Sequence, residues 1–185
     1  MKTLIVYGTR YGATAENAEE IAKILHEEGF DVKVANAKKE KIKDITSYEL
    51  VVVGSGLQMG KWTGEAEDFL KKHAKELAEK KLALFVSTMK MVSEREGKTE
   101  DVEKIHKMGL EDKVDKYSLQ PIALGFFGGV LDFNKMNILF RRTFGMIRSE
   151  LEKDGFKEEP EGVYEIRDWE EIRVWAKELA QKAQQ

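Results

Sequence analysis

Short apolar runs recur along the chain with longer amphipathic stretches between them. Leu4 to Tyr7, Val32 to Ala35, Leu50 to Val53, Leu82 to Val86 and Ile122 to Phe127 are the strand candidates. Val51, Val52 and Val53 are consecutive apolar residues, which predicts a central parallel strand buried on both faces. Between the strands, Ala18, Ile21, Ala22 and Leu25 fall at i, i+3, i+4 and i+7, as do Ile172, Trp175, Ala176 and Leu179. Ala66, Phe69, Leu70, His73 and Leu77 make a third helical stripe. Gly29 sits where the first helix needs a C-terminal glycine, and Asp168 with Glu171 predicts a capping box ahead of the last. Alternating strand and helix units imply an α/β fold with a parallel sheet. The charge-rich stretch from Glu94 to Lys116, where Val102, Ile105 and Met108 form only a weak stripe, reads as a solvated helix and loop.

With 185 residues and no repeat, the chain reads as one domain spanning 1–185. Hydrophobic residues make up 42% and charged residues 35%, which fits a soluble globular protein. The formal charge of -3 does not call for nucleic acid as a partner. There is no cysteine, so disulfides, thiolate metal sites, iron–sulfur ligation and thiol nucleophiles are excluded, and redox chemistry would need a borrowed cofactor. The six-residue apolar run near the start is too short for a signal-peptide core, and Tyr117 to Leu131, at 15 uncharged residues, is too short to span a bilayer. A cytoplasmic location is therefore expected.

In an open parallel sheet, ligands bind beyond the carboxyl ends of the strands. After the first strand, Thr9, Arg10, Tyr11, Gly12, Ala13 and Thr14 run directly into a helix. Hydroxyls, a glycine and free amides at a helix N-terminus suit an anionic phosphate, although the same residues could serve only to cap the helix. After the third strand, Gly54 to Thr63 form a glycine-rich loop carrying Met59 and Trp62, able to lay amides and a flat side chain against a planar ring. Ser87, Thr88, Met89 and Lys90 follow the fourth strand. If strands one, three and four are neighbours, these loops share one cleft.

Thr9-x-x-Gly12-x-Thr14 resembles the flavodoxin phosphate loop, and the segment from Gly54 to Trp62 resembles that family's first isoalloxazine loop. The resemblance implies a flavodoxin-like three-layer sandwich with a five-stranded parallel sheet in the order 2-1-3-4-5, binding FMN. By that resemblance, Thr9, Arg10, Tyr11, Gly12, Ala13 and Thr14 would hold the phosphate, while Gln58, Met59, Gly60, Lys61 and Trp62 would line the ring. Ser87, Thr88, Met89 and Lys90 would close its other edge. Within the superfamily, KTLIVYGTRYGATAENAEEIAKIL, VVVGSGLQMGKW and FLKKHAKELAEKKLALFVSTM are most similar to the menaquinone-dependent protoporphyrinogen oxidase group. That group implies an FMN-dependent oxidoreductase passing electrons from a protoporphyrinogen-like substrate to a quinone. Tyr11 stands where the electron-carrier motif has a threonine, and the chain is less acidic than such carriers. A flavodoxin-type electron-transfer protein working between redox partners, without its own substrate, is the alternative. A third reading is a binding module that has lost its cofactor.

Other site patterns fit less well. Gly54-x-Gly56-x-x-x-Gly60 follows the third strand rather than opening the sheet, and a Walker loop would need glycine at Ser55 and a hydroxyl at Trp62. A receiver domain would need an acidic pair where Gly8 and Thr9 stand, and His26, His73 and His106 lie on separate predicted helices, so no metal site is expected. Ser55 lacks a nucleophile-elbow pattern. No side chain is placed as a catalytic acid or base. Lys61 and Lys90 put positive charge in the ring loops, with no carboxylate before Glu65 and Glu94. Residues 133–151, with Met136, Leu139, Phe140, Phe144, Ile147 and Leu151 on one side and Lys135, Arg141, Arg142 and Arg148 elsewhere, predict a basic amphipathic helix. It could cover the sheet or touch the inner face of a membrane.

Overall fold

The computed structural model describes residues 1–89, 99–135, 147–153 and 155–185. Strands β1 (Lys2–Gly8), β2 (Asp31–Asn36), β3 (Leu50–Gly56), β4 (Lys81–Thr88) and β5 (Ala123–Gly128) form a five-stranded sheet in the order β2-β1-β3-β4-β5. All four pairings are parallel, with Ile5 opposite Val52, Val52 opposite Ala83 and Phe85 opposite Gly125. Successive side chains point to opposite faces, so the apolar runs split into two cores. Ile5, Val52, Ala83 and Phe85 pack under helices α1 (Ala13–Glu27) and α6 (Trp169–Gln184). Val6, Val51, Val53, Leu82 and Leu84 pack under α2 (Gly64–Leu77).

The helix ends follow local chemistry. Asp168 accepts hydrogen bonds from the Glu170 and Glu171 amides at 2.9 and 3.1 Å, closing the N-terminus of α6. At the end of α1, Gly29 adopts φ +84° while Phe30 donates back to the Leu25 carbonyl.

Three features depart from the sequence expectation. The stretch expected to be solvated is α3 (Thr99–His106), a wide turn with π-helical bonding at Lys107–Glu111, and α4 (Asp112–Tyr117). It is not simply solvated, because Gly109 and Leu110 are buried against the sheet. Secondly, β6 (Val130–Asp132) pairs with β7 (Val163–Glu165) in an antiparallel ribbon, around which Leu131, Phe133, Leu151, Tyr164 and Ile166 form a third apolar cluster. Thirdly, residues 133–135, where the sequence predicted helix, make a turn in which the Lys135 amide donates to the Asp132 carbonyl while the Phe133 amide donates to Gly162 and that of Asn134 to the Asp132 carboxylate. Helix α5 spans Ile147–Lys153, and the rest of the predicted basic stripe, residues 136–146, lies outside the described residues. No helix among the described residues is long and apolar enough to cross a membrane.

Glu67 on α2 ties down the α4 segment. It accepts from Lys113 at 2.9 Å, Lys116 at 2.7 Å and Tyr117 at 3.0 Å. Partial burial alone would raise its pKa, but these three donors together hold the carboxyl at about 2. A carboxyl depressed in the folded state stabilises fully above its unfolded value and loses that contribution as pH falls through its folded value. Glu67→Gln is expected to lower the unfolding free energy by roughly 1–2 kcal/mol at pH 7, after allowing for solvent screening. The deficit should shrink as pH is lowered from about 4.5 toward 2 in urea titrations. An equal deficit across that range would mean that the charge of Glu67 contributes nothing.

Candidate functional site

The carboxyl ends of β1, β3 and β4 and the β5–β6 junction surround a cleft of about 360 Å³. Its first wall is the β1–α1 loop. Thr9 Oγ1 accepts the Gly12 amide at 2.9 Å, which fixes the turn, and Gly12 takes φ +111° as the N-cap of α1, a conformation disfavoured for residues with a Cβ. Ala13 and Thr14 open the helix, so their amides have no intrahelical acceptor. Thr14 is 2% exposed and its hydroxyl has no protein partner among the described residues. Arg10 donates to the Gly56 carbonyl at 2.9 Å and the Trp62 carbonyl at 3.1 Å, joining this loop to the one after β3. From the far side, Lys135 donates to the Tyr11 carbonyl at 3.3 Å while paired with Asp132 at 3.0 Å.

The second wall is a tight hairpin after β3. Gln58 and Lys61 exchange both backbone hydrogen bonds, at 3.1 and 3.0 Å, around Met59 at φ 51° and Gly60 at φ 73°. Two consecutive positive φ values match the right-handed twist of a two-residue hairpin turn. The turn leaves Met59 84% exposed at the cleft mouth. It also decides the next two side chains. Lys61 faces solvent, and Trp62 turns inward, 3% exposed within the α2-side core.

The third wall comes from the segment expected to be solvated. The Trp62 indole N–H donates to the buried Gly109 carbonyl at 2.6 Å, anchoring the wide turn to the ring loop. Gly60 then admits Met108, whose Sδ would lie 3.1 Å from a Cβ placed there. Ile105 and Met108 line the cleft beside Leu57. A wide turn inside a helical stretch is a common way to aim side chains at a site.

Of the residues singled out in the sequence, Thr9, Arg10, Tyr11, Ala13, Thr14, Gln58, Met59, Gly60, Ser87, Thr88 and Met89 line this one cleft. Gly12 shapes the loop without lining it. Lys61 and Trp62 do not line it, because the hairpin sends one to solvent and the other into the core. Lys90 lies outside the described residues. Gly56 and Leu57 fall in the glycine-rich loop the sequence placed at the cleft, though not among the residues expected to line the ring, whereas sequence reasoning missed Ile105, Met108, Gly129, Val130 and Leu131. The stripe Val102, Ile105, Met108 carried the signal for two of these, and the apolar run through Leu131 for two more.

Among the described residues, Arg10 is the one charged side chain lining the cleft. Uncommitted amides, hydroxyls and a cation gather at the α1 end, while Leu57, Met59, Ile105, Met108, Val130 and Leu131 make the opposite side apolar. Such a cleft suits a ligand with an anionic end and a flat, weakly polar body.

Comparison with known proteins agrees with this geometry. A family model described as a flavodoxin domain matches residues 4–158. Protoporphyrinogen IX dehydrogenase (quinone) of Escherichia coli strain K12 is 27% identical over 180 residues, covering 97% of this chain and 95% of that protein. Among solved structures, a flavodoxin from the domain Archaea superposes with TM-score 0.56 at 16% identity, covering 100% of both chains. Flavodoxin 2 from Bacillus cereus superposes with TM-score 0.56 at 19% identity, covering 98% of this chain and 99% of that one.

Proposed function

The chain belongs to the flavodoxin domain family, and from that premise we propose that it is an FMN-dependent oxidoreductase passing electrons from a protoporphyrinogen-like substrate to a quinone. The observation that carries the reading is the two-sided cleft: anion-binding donors at one end, an apolar wall at the other, and no lining carboxylate among the described residues. A relative matched over 95% of its own length is a quinone-linked protoporphyrinogen dehydrogenase.

The residues fit the cofactor. The Ala13 and Thr14 amides and the Thr14 hydroxyl, which has no protein partner among the described residues, would receive its phosphate, with the α1 dipole and Arg10 favouring the negative charge. Gln58, Met59 and Gly60 on one side, and Thr88 and Met89 on the other, would flank its ring system. FMN supplies the electron-exchange chemistry that a chain without cysteine lacks. The protein positions, shields and tunes. Leu57, Ile105 and Met108 exclude water from one side of the cleft, which strengthens each polar contact made inside it. Exposed Met59 at the mouth offers an adaptable apolar surface to a flat, lipophilic partner.

Fluorescence titration of the purified protein is expected to show FMN bound at least about 100-fold more tightly than riboflavin, because several charge-assisted hydrogen bonds depend on the phosphate. The loaded protein should then reduce a soluble quinone at the expense of protoporphyrinogen. Failure to bind FMN would overturn the reading. FMN binding without substrate-dependent quinone reduction would leave an electron carrier instead.

A further inference from the structure

Behind the cleft lies a polar residue that the cleft wall conceals. Asn17, one turn into α1, is fully buried. Its Nδ2 donates to Ser87 Oγ at 2.9 Å and to the Gly128 carbonyl at 3.3 Å, and its Oδ1 faces Arg167 Nη1 at 3.5 Å. The orientation of this amide is decided by its partners. A backbone carbonyl can only accept and a guanidinium can only donate, so the nitrogen must face Gly128 and the oxygen must face Arg167. Arg167 is itself held, its side chain 3% exposed between Glu16 at 2.7 Å and Glu165.

The consequence falls on Ser87. A hydroxyl carries one hydrogen and accepts through its lone pairs. Because Asn17 presents a hydrogen, Ser87 Oγ must accept there, which leaves its own O–H uncommitted. Ser87 is 6% exposed and lines the cleft, and that hydrogen has no protein acceptor among the described residues.

We propose that Asn17, held by Arg167 and Gly128, is a positioning residue that keeps the Ser87 hydroxyl hydrogen free to donate to a hydrogen-bond acceptor of the bound cofactor. The proposal rests on the FMN reading of the cleft. Ser87 touches the ligand, whereas Asn17 acts through it.

A double-mutant cycle on FMN affinity, measured by fluorescence quenching on the full chain stripped of flavin, tests the proposal. Ser87→Ala should weaken FMN binding about fivefold to tenfold, the usual effect of losing one hydrogen bond. Asn17→Asp presents an oxygen instead of a hydrogen, so the hydroxyl must turn away from the ligand and the loss should match that of Ser87→Ala. In the Ser87→Ala background, Asn17→Asp should cost nothing further. Asn17→Ala gives the same test, with a smaller single loss, if the aspartate variant does not fold. Unchanged FMN affinity in Ser87→Ala would overturn the proposal, and so would additive losses in the cycle. Absence of FMN binding by the unmodified protein would instead overturn the cofactor reading itself.

Discussion

Trp62→Ala is expected to destabilise the protein by about 3–5 kcal/mol, the usual cost of emptying a large aromatic site in a packed core. Trp62 is 3% exposed and packs in the core beneath α2. Its indole N–H also satisfies the buried Gly109 carbonyl at 2.6 Å. Trp62→Phe separates the two roles. It retains most of the packing but removes the indole donor to that carbonyl, at a cost of about 0.5–1.5 kcal/mol. Both figures can be read from urea unfolding at neutral pH. Trp62→Phe should also weaken cofactor binding, because the Gly109 contact holds the turn that brings Met108 over Gly60. A loss below about 1 kcal/mol for the alanine variant would contradict the burial of Trp62 in the core. Full affinity in the phenylalanine variant would show that Met108 keeps its place without the indole.

Gly128→Ala should be nearly as damaging, at about 3 kcal/mol or more, through overpacking that no side-chain rotation relieves. A Cβ at Gly128 would lie 2.0 Å from the Ile166 carbonyl oxygen, 2.8 Å from its carbonyl carbon and 2.9 Å from Arg167 Cα. All three obstacles are backbone, so the end of β5 and the segment after β7 would have to separate. That movement would strain the Asn17 bond to the Gly128 carbonyl and the Ile166 amide bond to Gly129. Gly64→Ala is the matched control. Its Cβ would meet nothing within 4 Å and its backbone needs no positive φ, so stability should stay within about 0.5 kcal/mol of the parent. Similar thermal midpoints for the two variants would show that the chain yields at residues 166–167.

Much of this molecule can be read from the chain before it is folded. Central parallel strands are covered on both faces, so β3 and β4 had to be written as continuous apolar runs, and every residue of β3 except Gly56 is indeed buried. Period-matched stripes marked α1, α2 and α6, and Asp168 marked where the last begins. The strand-end rule for open parallel sheets then located the loops around the cleft, because binding chemistry collects where strand carbonyl ends meet helix N-termini. These features are local or periodic.

What only the tertiary structure decided is non-local. The direction of Trp62 depends on the Met59–Gly60 turn and on a carbonyl 47 residues away, so its ring packs in the core although its sequence position suggested the cleft. Ile105 and Met108 become cleft residues because Trp62 draws Gly109 inward. The β6–β7 ribbon joins two three-residue strands too short to show a period, brought together by apolar packing around Tyr164. Asn17 lies outside the apolar stripe of Ala18, Ile21, Ala22 and Leu25, and no local pattern marks it. Its meaning comes from Ser87, 70 residues on, and Arg167, 150 residues on. Periodicity records which face a residue lies on, because burial repeats with the backbone. Hydrogen-bond direction and loop side-chain placement depend on which distant groups fill the space opposite, and only the closed chain brings those groups together.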